Sequence, residues 1–370
     1  MLLENNPYPQ DTRVRNEART LAAAGHEVTV IAPRRGGQPR RERVDGVRVH
    51  RFRLPDGRGA AGLVVEYVVA HVQLGLRGAV ELLRGADAVH LHNPPDTLFP
   101  VAWLARALGR RAVFDMHDLT PELFGEKFGF RPLERLLRGA QLLAVRAAHR
   151  VIATNETQRE VALARGAGAV HVVRNGPPAA AVADGPRVRP GAEPRLVFVG
   201  ELAEHDGVLD LPRLLADPRL ARARMTVVGD GPARAAMEAE AARHDVAERI
   251  AFTGQIAHAD ALAAIRDADI AVDPAPANSL THGSTMIKIA EYLACGVPVV
   301  AYDLRETRRT AGDAARYAPP GDARRFATLV AEVAANSRLR ADLARRALAR
   351  APQLTFERSQ PALLEVYAAL

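Results

Sequence analysis

The 370-residue chain has a single cysteine, Cys295, which excludes a disulfide framework and a cysteine-rich metal site. That cysteine falls in an apolar helical stretch and reads as a small buried side chain. Lysine is almost as scarce: Lys127 and Lys288 are the only two among 50 Lys and Arg residues. Aromatic residues make up 5% and no nucleic-acid-binding motif is present, which argues against nucleic acid as a partner. No apolar run reaches membrane-spanning length and no N-terminal stretch resembles a signal peptide, so a cytoplasmic protein is expected. Also missing are a Gly-x-Gly-x-x-Gly after the first strand, a P-loop lysine motif and a Gly-x-Ser-x-Gly. Their absence counts against NAD enzymes, NTPases and α/β-hydrolases.

What is present is a soluble globular composition, 48% hydrophobic and 25% charged, long enough for two domains. The net charge of +7 suits phosphorylated substrates or anionic membrane surfaces. Arginine carries it in an Arg- and Ala-rich background. A single arginine therefore says little, and a retained lysine says more.

Met1-Leu2-Leu3 reads as the tail of a first strand, short for a central one, so a few upstream residues are expected to be missing. Residues 5–11 are a polar, proline-broken loop, 12–24 a helix and 27–32 a strand, the opening of a doubly wound α/β fold. Residues 34–43 form a basic exposed loop, 44–47 a hairpin turn and 48–52 an alternating strand. Strands at 88–92, 111–116, 150–153 and 169–173 follow, with helices over 63–83, 98–108, 131–148 and 156–164. Residues 177–194, rich in Pro, Ala, Gly and Asp, are the best linker. The alternation then restarts and closes on a helix over 357–369. The expectation is two Rossmann-like domains, 1–176 and 195–352, facing a cleft, with the last helix in 353–370. Ligands in such sheets bind outside the carboxyl ends of the strands.

The most telling stretch runs from Asp273 to Val300. Pro274 and Pro276 stop the strand that ends at Asp273. A polar loop with Asn278, Ser279, Thr281 and His282 leads to Gly283, and Ser284 or Thr285 is expected to cap a helix that closes at Gly296. A helix N-terminus at the carboxyl edge of a parallel sheet suits a phosphate or diphosphate. Lys288 lies in its first turn, and Glu291, one turn on, is placed to hold ribose hydroxyls. An ordinary βαβ unit with surface charges fits the same pattern.

Gly200, Gly229, Gly231 and Gly254 each follow a strand. One alone reads as a tight turn; four beside a helix N-terminus favour a nucleotide. In the first half, the sheet edge carries residues 5–13, His92 to Asp96, Asp115 with His117 and Asp118, and Arg174-Asn175. His117 suits a hydrogen-bonding or acid/base role or a structural one, and Asp118 with Glu122 can equally cap the next helix. Asp267-Ala268-Asp269 looks like a metal-binding DxD, but it precedes a strand and so lies at the wrong edge.

In chain order, the segments Asp11-Thr12-Arg13-Val14, Gly25-His26-Glu27-Val28, Asn93-Pro94-Pro95-Asp96 and Phe114-Asp115-Met116-His117-Asp118 form one pattern. It continues with Ala153-Thr154-Asn155-Glu156, Val173-Arg174-Asn175-Gly176, Val228-Gly229-Asp230-Gly231, and Ser284-Thr285-Met286-x-Lys288 with Glu291. This pattern resembles the family 4 retaining glycosyltransferases of GT-B architecture, most of all bacterial members used in exopolysaccharide and cell-surface glycan assembly.

The resemblance implies transfer of a sugar from a nucleotide diphosphate sugar to an acceptor hydroxyl, with no metal or other cofactor. The C-terminal domain would bind the donor, the N-terminal domain the acceptor, and the last helix would cross back to the first domain. Glu291 matches the second acid of a Glu-x7-Glu motif that holds the donor ribose. Ser284, Thr285, Met286 and Ile287 match the diphosphate segment, and Gly254, Gln255 and Ile256 the turn near the base. Gly200, His205, Asp206, Gly229 and Gly231 complete the donor side. His117 matches a histidine near the transferred sugar, with Asp118 and Lys288 as further catalytic candidates. Asp11, Arg13, Asn93 and Asp96 are candidates for the acceptor side.

Two departures stand out. The first acid of the motif falls at Gly283, and an Arg and Lys pair is replaced by Glu201 and Asp206. Lys288, the helix N-terminus and Arg13 or Arg174 are then left to neutralise the diphosphate. A natural-product transferase, a nucleotide-sugar epimerase and a catalytically silent nucleotide-sugar-binding protein stay open. Expected partners are the donor and a glycan, lipid-linked or small-molecule acceptor. Residues 34–43 are a candidate for peripheral contact with the inner face of the membrane.

Overall fold

The computed structural model describes residues 1–4, 6–55, 59–128, 130–186 and 193–370. Asn5, the 187–192 part of the expected linker, and the side chains of Lys127 and His205 lie outside the described residues. The chain divides into two compact units, Met1–Arg174 with Ser359–Leu370, and Asn175–Arg358.

The first unit contains β1 (Thr29–Pro33), β2 (Arg41–Val44), β3 (Val47–Phe52), β4 (Ala88–His92), β5 (Arg111–Met116), β6 (Arg150–Ala153) and β7 (Val170–Val172). They pair as β1-β3-β2 and β4-β5-β6-β7. Leu2 joins the two sets, bridging Ile31 on one side and Leu91 on the other, both in parallel. The first strand is thus central, and the strand order reverses beside it. β2 and β3 are antiparallel across Asp45 and Gly46, whose φ values of 50° and 82° suit the tight turns that match strand twist. The helices are α1 (Thr12–Ala23), α2 (Gly59–Leu83), α3 (Phe99–Ala107), α4 (Thr120–Phe128), α5 (Arg131–Ala147) and α6 (Glu156–Ala164). The core gathers Leu2, Ile31, Leu74, Leu91, Val101 and Phe114.

The second unit carries β8 (Arg195–Val199), β9 (Arg224–Val228), β10 (Ile250–Gly254), β11 (Ile270–Asp273), β12 (Val299–Tyr302) and β13 (Ala315–Ala318). They form a parallel sheet in the order β10-β9-β8-β11-β12-β13. Strand alternation sends Leu196 and Phe198 to one core and Val197 to the other, so both faces of the sheet are buried. The helices are α7 (Asp210–Leu215), α8 (Arg234–Arg243), α9 (His258–Arg266), α10 (Ser279–Gly283), α11 (Ile287–Ala294), α12 (Arg305–Ala311), α13 (Ala323–Ala335), α14 (Ser337–Arg350) and α15 (Phe356–Ala368). The unit boundary falls within α15, whose residues from Ser359 onward belong to the first unit.

Two expectations are corrected. No helix starts at Ser284 or Thr285. Asn278 instead caps the short α10, with its side chain accepting from Thr281 N and the Thr281 hydroxyl bonding the Asn278 backbone. The chain is extended at Ser284, and α11 begins at Ile287 behind Met286. Nor is the start of the expected linker a loose tether. Ala181 is buried, its carbonyl accepts from Arg266 at 2.9 Å, and Ala183 N donates to Ala294 O at 2.8 Å.

Candidate functional site

Strand order in the second sheet reverses between β8 and β11, and sheets of this kind bind ligands at the carboxyl ends of such a pair. Lys288, the second residue of α11, reaches over that edge. Its ammonium lies 3.3 Å from Asp273 Oδ1 and 4.4 Å from the centroid of the Phe198 ring. A Cβ on Gly200 would come within 3.3 Å of the ammonium, so glycine there clears the space. Asp273 is buried and its carboxylate makes no hydrogen bond among the described residues. Such a carboxylate depends on its counter-charge. Met286 gives α11 no side-chain cap, so the positive end of the helix is offered to the same edge as the ammonium. Together they make a place that can hold a phosphate.

Glu291, one turn beyond Lys288, accepts a hydrogen bond from His258 Nε2 at 2.8 Å. Tyr292 is buried and its hydroxyl accepts from Val199 N at 2.9 Å, which fixes α11 against β8. Gln255 and Ile256 are exposed just past Gly254, whose φ is 69°. Ser284, Thr285 and Met286 are half-buried and Ile287 is exposed. Asp206 is half-buried in the turn after β8, Glu201 is exposed, and Gly283 is buried at the end of α10.

The edge glycines have a structural reason of their own. A Cβ at Gly229 would run into the carbonyl of Gly200, and one at Gly231 into that of Leu202. Gly229 N donates to Gly254 O at 3.0 Å. Backbone meets backbone at these turns, so the tight-turn reading accounts for Gly229 and Gly231 without a ligand.

In the first unit the centre is Asp115, at the end of β5. Arg13 grips it in a fork, Nε at 2.6 Å and Nη2 at 2.7 Å. His92 Nδ1 lies at 2.9 Å from the same carboxylate and His117 Nδ1 at 3.4 Å. Arg13 also meets Glu17 at 3.0 Å and the Val173 carbonyl at 3.0 Å. His90 stacks on His92 with centroids 4.2 Å apart, and its Nδ1 lies 2.8 Å from the Tyr367 hydroxyl of α15. Burial opposes charge on Asp115, but the charge of Arg13, the two neighbouring histidines and the His92 hydrogen bond outweigh it and hold its carboxyl well below the usual range. Burial pushes Glu17 up to about 8 against the pull of Arg13. Burial alone would lower His117; the Asp115 carboxylate 3.4 Å away prevails and raises it. The imidazolium of His117 therefore stabilises the fold below the unfolded value near 6.5, and that contribution is lost as pH rises through the raised value.

Arg13, Asn93 and Asp96, expected at the acceptor, are buried and act as internal supports in this structure. Asn93 Oδ1 accepts from His117 N at 2.8 Å and Asp118 N at 3.1 Å, and its Nδ2 donates to Asp118 O and Asp96 Oδ1. Gln158 Nε2 donates to His117 O at 3.1 Å. The loop that presents His117 and the half-buried Asp118 is thus held from beneath. Asp11 caps α1, accepting from Val14 N at 2.9 Å.

Glu17, His90, His92 and Asp115 place metal-type ligand atoms within 4.8 Å of one another. The Arg13 guanidinium already supplies positive charge among those carboxylates, and a dication would face it. Asp267 and Asp269 are engaged by Arg195, through its side chain at 2.5 Å and its N–H at 2.9 Å. That accords with helix-end polarity.

Local sequence gives little warning of some of these residues. Val89-His90-Leu91-His92 does carry a signal, since i and i+2 on a strand share a face. Glu17 is four residues after Arg13 on one helix. Tyr367 and His258 carry none, because their partners lie 277 and 33 residues away.

Residues 10–176 match the family described as Glycosyl transferase 4-like domain, and residues 193–336 match Glycosyl transferases group 1. A 2-deoxystreptamine N-acetyl-D-glucosaminyltransferase from Streptomyces fradiae is 30% identical, over 80% of this chain and 74% of its own. A phosphatidyl-myo-inositol mannosyltransferase from Mycolicibacterium smegmatis is 26% identical, over 95% of this chain and 87% of its own. The structure of Anabaena HepE in complex with UDP and glucose has a TM-score of 0.73 to this one at 17% identity, covering 100% of this chain and 99% of that one. The chain belongs to the family 4 glycosyltransferases of GT-B architecture and is a transferase that uses nucleotide-sugar donors. No helix among the described residues is long and apolar enough to cross a membrane.

Proposed function

We propose that this chain is a retaining glycosyltransferase that works without a metal ion. The observation that carries this is the Lys288 ammonium beside the uncapped start of α11, at the point where the second sheet reverses. The donor diphosphate sits there, the ribose on Glu291 and the base near Gly254, Gln255 and Ile256. As the sugar–phosphate bond breaks, its electron pair leaves with the diphosphate. Lys288 and the helix end stabilise that growing negative charge, the task a metal performs elsewhere. The sugar gains oxocarbenium character, and the acceptor hydroxyl adds to the same face while passing its proton to the departing diphosphate oxygen. His117, biased toward imidazolium, donates a hydrogen bond to the transferred sugar. Nucleotide sugars are screened by thermal shift with EDTA present, and the product anomer is read by NMR. Turnover in EDTA with retained configuration is expected; inversion, or a strict metal requirement, overturns the proposal.

The acceptor is proposed to belong to cell-surface glycan or exopolysaccharide assembly. A soluble natural-product acceptor is the second reading, favoured by the likeness to the Streptomyces fradiae enzyme. Transfer to a lipid phosphate against transfer to an aminocyclitol separates the two.

The membrane side of the proposal rests on α2. Val65, Val68, Val72, Leu76, Val80 and Leu83 are all exposed at helical spacing, so this helix turns an aliphatic stripe to solvent. Arg77 and Arg84 flank it, and exposed Trp103 and Arg106 lie on α3, which packs beside it. Aliphatic surface with basic flanks fits an anionic bilayer; a second copy would set like charges together. Vesicles with about a third anionic lipid should sediment the protein and neutral vesicles should not, following about 1 kcal/mol per basic residue near the surface. Val72→Glu with Leu76→Glu should abolish the effect. A dimer in solution that these changes dissolve, or equal binding to neutral vesicles, would count against the bilayer.

A further inference from the structure

We infer that His258 is a positioning residue that aims Glu291 at the ribose of the donor. The inference rests on the reading of Glu291 as the ribose-holding acid. His258 opens α9, four residues beyond Gly254, and is 55% exposed at its side chain. Glu291 is only 12% exposed, yet its Oε1 meets the His258 Nε2 at 2.8 Å. The two helices that carry the pair are locked by apolar packing. Leu262 and Ile265 of α9 share a core with Ile289, Ala290 and Leu293 of α11, and Cys295 Sγ lies 3.7 Å from the Leu262 carbonyl. The imidazole therefore reaches Glu291 from a fixed direction.

A carboxylate has two oxygens and room for several donors. With Oε1 held by the ring, Oε2 is left for ribose hydroxyls and the rotamer is set before the ligand arrives. The order of groups fits a nucleoside diphosphate. Lys288 stands at the phosphate end of α11, Glu291 lies one turn deeper, and the chain from Gly254 to His258 borders it where the base would lie. Orienting partners of this kind set how well a neighbouring ligand group works without touching the ligand themselves. With Gly283 in place of the first acid of the motif, a neutral or cationic ring takes over the orientation of the second.

The test measures binding of UDP and GDP, and of their 2′,3′-dideoxy counterparts, to the full chain by calorimetry. Wild type should favour the tighter ribonucleotide over its dideoxy form by about tenfold or more, as expected for hydroxyls bonded to a charged group. Glu291→Ala should erase that ratio. His258→Ala should lower it by about three- to tenfold with little change in dideoxy affinity, and His258→Gln, which keeps a donor near the Nε2 position, should restore most of it. If Glu291→Ala leaves the ratio intact, or neither nucleotide binds, the reading of Glu291 fails. If Glu291→Ala erases it while His258→Ala leaves it untouched or raises it, the positioning role of His258 is overturned. Equal loss on both ligands would likewise overturn it, because that marks a merely structural residue.

Discussion

Lys288→Met is expected to cut nucleotide-diphosphate affinity by about 10- to 100-fold, the range for a hydrogen bond to a charged group, and to lower turnover further. The Lys288 side chain is 10% exposed and Asp273, its counter-ion, is buried without a hydrogen bond among the described residues. Methionine keeps the length and the contact with Phe198, so packing changes little. The charge does change: Asp273 loses its partner, and breaking a buried pair costs about 3–5 kcal/mol. Lys288→Met with Asp273→Asn separates folding from function, since the amide needs no counter-charge. The double variant should regain stability and still bind the diphosphate poorly. Wild-type turnover in the double variant would remove Lys288 from the reaction.

Arg13→Met is expected to destabilise the first unit by about 3–5 kcal/mol, because it leaves Asp115 and Glu17 buried without the guanidinium they share. A chain with two units has no single unfolding free energy, so hydrogen exchange at β4 and β5 is the suitable readout. The pH dependence has a definite sign. In the wild type the lowered carboxyl of Asp115 contributes stability above its unfolded value near 3.9, and that is lost as pH falls through the lower folded value. Without Arg13 the Asp115 carboxyl favours its protonated form, whereas Glu17, raised to about 8 even beside Arg13, is already mostly protonated near pH 7. The gap between variant and wild type should therefore be widest near neutral pH and narrow as pH falls toward about 4. A gap that stays constant with pH would mean that the ion pair is not what Arg13 contributes.

Much of the architecture could be read from periodicity. Buried strands such as Arg195–Val199 and Ile270–Asp273, separated by amphipathic helices, leave little choice but a parallel sheet covered on both faces. The placement of Lys288 and Glu291 followed, since a helix after a carboxyl strand end has one direction to run. The start of α11 was harder. Asn278 and Thr281 form a capping box four residues wide, but Gly283-Ser284-Thr285 offers a second cap-like signal, and only packing decides between them. Burial was the other gap. Arg13, Asn93 and Asp96 are polar loop-edge residues whose types suit a ligand as well as a scaffold. Their bonds to Asp115, His117 N and Gln141 bury them, and those partners lie 102, 24 and 45 residues away, out of reach of local pattern.

The last helix has a consequence for how the protein is made. Ser359–Leu370 belongs to the first unit but leaves the ribosome after the whole second unit. The usual order, in which an N-terminal domain is finished before the next is synthesised, is closed to this chain. Until those residues emerge, His90 waits without the Tyr367 hydroxyl, and Arg174 N without the Ser359 side chain that accepts its hydrogen bond at 3.1 Å. A nascent chain stalled at Arg358 would carry a complete second unit and a first unit that lacks Ser359–Leu370. The surface those residues would cover is where quality-control proteases would first find a foothold.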